Sequence, residues 1–216
     1  SYIAKTGKPF EANVPHHFAF RGADDVTFIL SAYLAAKAAK QRGVRLFVLQ
    51  MMFNTPKNTW GIQDLAKARA MLRLVRELED NTFRVLLQPR AGLDYFSPDE
   101  EKAKAQLASV TAMMDDIEPG NMNSPQIIHV VSFSEALHLA EPKTVDESIQ
   151  ITREALKRYR ILRKKGDMPD MTGNASVNER TDTLFHEAKQ LIDIIEQELE
   201  SPYSPESLYK IFAAGF

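Results

Sequence analysis

Residues 83–92 read FRVLLQPRAG. An apolar run (Phe83, Val85, Leu86, Leu87) ends abruptly at Gln88, Pro89, Arg90 and Gly92. A short apolar run with β-branched and aromatic members, closed by Gly and Pro, reads as a strand buried on both faces. Upstream, VRLFVLQMMF (44–53) is a second such run, stopped by Asn54-Thr55-Pro56. Downstream, SPQIIHVVSF (124–133) is a third. Helical patterns fill the gaps. DDVTFILSAYLAAKAAKQR (24–42) repeats apolar residues at three and four, with Asp24 and Asp25 at its start and Gly43 placed for C′. Residues 63–80 put Leu65, Leu72, Val75 and Leu78 on one side. The spacing predicts a helix over 97–117, with Ser97 as N-cap, Pro98 at N1 and Glu100 at N3. Another is predicted over 144–166, capped by Thr144 with Glu147 as box partner, then a charged helix at 177–200 and a short one near 205–213.

Buried strands alternating with helices predict an α/β chain with a parallel sheet. The strands recur about every 40 residues, close to one unit of a TIM-type (β/α)8 barrel, which takes eight strands and about 250 residues. Three strands are too few, so the expectation is the C-terminal part of a (β/α)8 barrel over residues 1–166. Residues 167–216 are then a linker and terminal helices packing on the barrel. His16 to Arg21 would cap a fourth strand whose body precedes Ser1. The competing expectation is a small open α/β sheet.

The formal net charge of −2 and pI of about 6.2 give no basic patch of the kind nucleic acid or anionic membrane recruits. No apolar run reaches the roughly 18 residues of a membrane span, and the N-terminus has no apolar signal core. The absence of cysteine removes disulfides and thiolate metal sites, and fits a reducing cytoplasmic setting.

Chemistry in parallel α/β proteins gathers at the carboxyl ends of strands. Those ends carry Gln50 and Asn54, then Gln88 and Arg90, then His129, Ser132, Ser134 and Glu135; His16, His17 and Arg21 precede the first long helix. A cation held at such a rim can pair bidentately with an anionic group. The set suits a substrate with carboxylate and amine, or a phosphorylated cofactor. Each residue also has a structural reading. Arg90 could pair with Asp94 or a helix C-terminus, Glu135 could be a helix-start acid, and His129 could be a satisfied core histidine. His16 and His17, beside Phe18 and Phe20, could form a stacking platform, though adjacent residues on an extended segment face opposite ways. Met51-Met52 reads as core filler. GxGxxG, GxxxxGK[ST], HExxH, GxSxG and DxHxxG are all absent, and no lysine ends a strand; Lys57 is the nearest.

Five stretches taken together, HHFAFRGADDVTFILSAYLAAKAAKQRGV, QMMFNTP, QPRAGLDYF, IIHVVSFSEALH and PDMTGNASVNER, resemble the large subunit of D-ornithine 4,5-aminomutase and, more distantly, the α subunit of lysine 5,6-aminomutase. The resemblance runs from about 14 to 200. It implies an isomerase that shifts a terminal amino group of ornithine or lysine to the neighbouring carbon by a radical route. The cofactors would be adenosylcobalamin and pyridoxal 5'-phosphate (PLP), shared with parts outside this chain. It implies that Arg90 binds the substrate carboxylate, with Gln88 beside it, and that Glu135 meets the α-amino group. His16, His17, Asn54 and Ser132 become cofactor contacts. The partners implied are the rest of the barrel and a cobalamin-binding Rossmann-like domain, which also brings the PLP lysine, in an oligomer. The family's barrel is much longer than this chain. Two other readings stand beside it. One is a non-catalytic interaction subunit docking through LFHEAKQLIDIIEQELE. The other is a small independent α/β enzyme using His16, His17, His129 or Glu135 as base. The discriminator is convergence: an amino acid site needs Arg90 and Glu135 to face one another.

Overall fold

The computed structural model describes residues 2–14, 17, 22–54 and 61–214, the side chain of Asp94 excepted. Among these residues three strands form one parallel sheet in the order β1 (Phe10–Glu11), β2 (Leu46–Phe53), β3 (Arg84–Ala91). Seven α-helices lie within the same described residues: α1 (Tyr2–Thr6), α2 (Asp25–Gln41), α3 (Gly61–Arg76), α4 (Glu100–Asp115), α5 (Pro142–Lys165), α6 (Ala175–Glu198) and α7 (Pro205–Ala213). The chain is therefore α/β with parallel βα units. The strand before α2 lies within the chain, at Phe10–Glu11, not ahead of Ser1 as expected.

The pleat sorts the sheet into two faces. Odd-numbered residues (Phe47, Leu49, Met51, Phe53, Val85, Leu87) enter the apolar core with α2, α3 and α4. Phe47 sits between Phe10 and Phe83, with ring centroids 6.2 and 6.1 Å away. Even-numbered residues alternate to the other face. There the register sets Glu11 beside Val48, Gln50 beside Gln88, and Met52 beside Arg90. Met51 is buried in the core, as core filler should be, and Met52 is buried on the even face beside Arg90.

α2 starts where Asp24 accepts from the Thr27 amide at 2.8 Å and ends at Gly43, whose φ of 80° a β-carbon would disfavour. α6 lies across α2 and α3, burying Val177, Leu184, Phe185, Ala188, Ile192 and Ile195. Arg73 stacks on Phe185 at 3.8 Å. α5 packs on α4 and is otherwise exposed.

Three local expectations are corrected. α4 is capped by Asp99, which accepts from the Lys102 amide at 3.0 Å; Ser97 accepts instead from the Asp99 amide at 3.1 Å. α5 begins at Pro142 with Glu141 at its cap, while Glu147 pairs with Lys104 at 2.8 Å. Segment 124–133 is not a strand. It runs beside β3, giving the Ile127 and His129 amides to the carbonyls of Leu87 and Pro89, each at 3.1 Å. The return bonds are missing for a reason. Pro89 has no N–H for the Ile127 carbonyl, and the Leu87 amide is taken by Gln126 Oε1 at 2.9 Å.

A buried ionic clamp closes the opposite end. Asp115 receives Arg160 at 2.6 Å and Arg163 at 2.6 Å, while Asp116 receives Arg163 at 2.9 Å and the Tyr159 hydroxyl at 2.5 Å. Arg160 also ties the Ser124 carbonyl at 2.7 Å. Among the described residues, no helix is long and apolar enough to cross a membrane.

Candidate functional site

The even face of the sheet gathers polar residues that an apolar sandwich would not tolerate. Gln50, Gln88 and Arg90 are buried, with exposures of 3, 8 and 9%. Glu11 is half-buried and reaches in from β1. Gln50 Nε2 donates to Glu11 Oε1 at 2.7 Å and to Gln88 Oε1 at 3.3 Å. Three strands are thereby laced together through side chains at the same depth.

Arg90 stands two residues further toward the carboxyl end of β3 than Gln88. Its Nε donates to the Ala91 carbonyl at 3.3 Å. Among the described residues, no carboxylate pairs with it within 4 Å. Glu135 and Glu11 act on it from longer range, and burial holds the guanidinium below its ordinary pKa. An arginine this buried without a direct ion pair is costly to keep. His129 completes the group. It is exposed, not the core histidine considered above, because segment 124–133 lies at the margin of the sheet. Although the residue as a whole is exposed, desolvation of its ring and the Arg90 charge push the imidazole pKa down, against the pull of Glu11 and Glu135. Arg90 and Glu135 thus belong to one electrostatic cluster, with His129 and Glu11 as its other members.

The remaining candidates divide. Asn54 ends β2 in the left-handed conformation, φ 59°. Its amide donates to Asp64 Oδ2 at 2.6 Å, and its Oδ1 is a buried acceptor with no partner among the described residues. Asn13, two residues past β1, repeats the pattern with φ 55° and an unpartnered Oδ1. Ser132 is buried, but its hydroxyl is engaged by Ser134 at 3.1 Å and Ser148 of α5 at 3.5 Å. Its amide donates to Glu135 Oε1 at 3.4 Å. His17 is exposed. His16, Phe18, Phe20, Arg21 and Lys57 lie outside the described residues. Glu11 and Asn13 escaped the sequence reading. β1 is two residues long and shows no periodicity, and only the strand pairing brings them in.

Behind β2, Asp64 is 1% exposed on α3 and sits 3.2 Å from Lys67, which is 3.6 Å from Asp25. Burial raises the Asp64 carboxyl to about 6, against the lowering pull of Lys67. Lys67 is held in this ionic group. Among the described residues no three His, Asp or Glu side chains are grouped to hold a metal ion.

No family model matches the chain, and no curated protein is similar enough to count as a relative.

Proposed function

We propose that this chain supplies the amino acid-binding part of an adenosylcobalamin- and PLP-dependent aminomutase acting on ornithine or lysine. Its parallel βα units would be the C-terminal part of a (β/α)8 barrel completed by parts outside the chain. One observation carries the reading: a buried arginine that has no direct ion pair among the described residues, at the carboxyl end of a parallel strand, with Glu135 and Glu11 acting on it. A zwitterionic amino acid fits that pattern. Its carboxylate satisfies Arg90, and its ammonium is welcome near the carboxylates. An interaction subunit has no need of such convergence. The resemblance of QPRAG and SFSEALH to the aminomutase segments points to the same two residues.

The cofactor residues fit in part. The buried, unpartnered Oδ1 of Asn54 suits a ring hydroxyl donor such as that of PLP. Ser132 does not fit, since its hydroxyl is committed to Ser134 and Ser148. The PLP lysine would be brought from outside the chain. When bound, PLP would hold the migrating amino group and adenosylcobalamin would start the radical. The chain's own residues would anchor and orient the substrate. His129, with its lowered pKa, would be neutral at pH 7 and able to accept a proton.

The test is a titration of the 216-residue chain, followed by amide NMR, with L-lysine, D-ornithine and their carboxamides. The free acids should shift resonances around residues 88–92 and the carboxamides should not. Equal binding of acid and carboxamide would refute a carboxylate on Arg90.

A further inference from the structure

Gln50 is the most buried polar residue on the even face, 3% exposed, and half of its amide is unexplained. Its Nε2 is used twice, by Glu11 and Gln88. Its Oε1 is buried and has no partner among the described residues. The orientation is not free to reverse. A carboxylate only accepts hydrogen bonds, so Glu11 demands the NH2 end of the amide. Turning the amide over would set Oε1 against the Glu11 carboxylate. With Nε2 held between its two neighbours, Oε1 is turned away from both. A buried acceptor left in this state costs free energy until a donor arrives.

Charge says what kind of donor. With His129 neutral, the cluster of Arg90, Glu11 and Glu135 sums to −1. A carboxylate arriving on Arg90 makes it −2, so the incoming donor that best restores balance is cationic. Resting on the amino acid reading above, we propose that Gln50 Oε1 accepts a hydrogen bond from an ammonium group of the ligand. Glu11 is the positioning residue that fixes the amide for it. Gln50 thereby becomes a determinant of specificity: it separates an amino-carboxylate from a plain carboxylate, which Arg90 alone would not do.

Two variants of the full chain test this, Gln50→Met and Glu11→Gln. The first keeps the length of the side chain and removes the acceptor. The second lets the amide at 50 turn over. The probes are D-ornithine and L-lysine, each beside the analogue lacking the α-ammonium and the analogue lacking the terminal ammonium, with affinity read by NMR titration. Wild type should bind the amino acid at least about tenfold tighter than one of the two analogues, the size of a buried hydrogen bond to a charged group. The discriminating analogue identifies which ammonium Gln50 takes. In Gln50→Met that ratio should fall at least about fivefold, to what Glu11 and Glu135 alone supply, with affinity for the discriminating analogue itself kept. Glu11→Gln should lower the ratio part of the way. A ratio unchanged in Gln50→Met overturns the proposal and leaves Oε1 to a bound water. If Gln50→Met does not fold, an unchanged ratio in Glu11→Gln does the same. Failure of the amino acid reading looks different, because wild type would then bind neither the amino acids nor their analogues.

Discussion

Arg90→Met separates a binding arginine from a structural one, because the two roles move stability and affinity in opposite directions. The methionine keeps much of the buried stem and removes the charge. Arg90 is 9% exposed and makes no ion pair within 4 Å among the described residues, so its burial is poorly compensated. Exchanging poorly compensated buried charge for apolar volume is neutral to stabilising, by up to about 1–4 kcal/mol in known cases. Some of that gain is lost here, because Glu11 loses the charge of Arg90; Glu135 is exposed, so the loss matters less there. The expected net effect on the unliganded chain is between about 0 and +2 kcal/mol. Affinity should go the other way. Losing a buried charge partner costs about 2–5 kcal/mol, or roughly 30- to 5000-fold in Kd for the amino acid. The assays are urea unfolding of the free chain and NMR titration with D-ornithine and L-lysine. A third readout comes from His129, whose imidazole pKa should rise once the Arg90 charge is gone. A variant destabilised by more than about 2 kcal/mol, with affinity and the His129 titration unchanged, would refute the reasoning and make Arg90 a structural residue.

Other perturbations test the frame around the site. Asp115→Ala leaves Arg160 and Arg163 facing each other without their shared acceptor, and should cost about 3–5 kcal/mol in urea unfolding; a loss under 1 kcal/mol would show that solvent already screens the clamp. Asp64, raised by burial to about 6, binds its proton more tightly folded than unfolded. Its charged form is therefore a cost that is absent below the ordinary aspartate pKa and grows as pH rises toward 6. Wild type should lose stability relative to Asp64→Asn across that window, by at most about 3 kcal/mol; parallel stability–pH curves for the two proteins would remove this role. Pro89→Ala gives the Ile127 carbonyl the donor it lacks. It should leave stability within about 1 kcal/mol, because the new hydrogen bond offsets the added freedom of the unfolded chain. The amide at 89 should be protected in hydrogen exchange, and rapid exchange there would mean that segment 124–133 does not lie against β3 as described.

What could be read in advance followed from signals contained within one segment. β2 and β3 announce themselves as apolar runs, and Arg90 stands out because it interrupts one. The parity of Gln50, Gln88 and Arg90 is legible too: a period of two puts all three even positions on one face once the two strands pair in register. The failures lie where one segment's state depends on another. Residues 124–133 have the composition of a strand, yet their pairing is decided by Pro89 and Gln126, which withhold or divert the donors they would need. His129 has apolar neighbours in sequence but lies at a margin of the sheet in space, so its burial could not be inferred from its surroundings in the chain. Glu11 is the sharpest case. Nothing in KPFEAN marks it, and its place beside the even face exists only through two residues of pairing with β2. Yet Glu11 decides which way the Gln50 amide points. The part of the site that would discriminate one ligand from another is thus set by a contact 39 residues apart in sequence. The part that supplies gross affinity, a cation at a strand end, can be seen in ten consecutive letters.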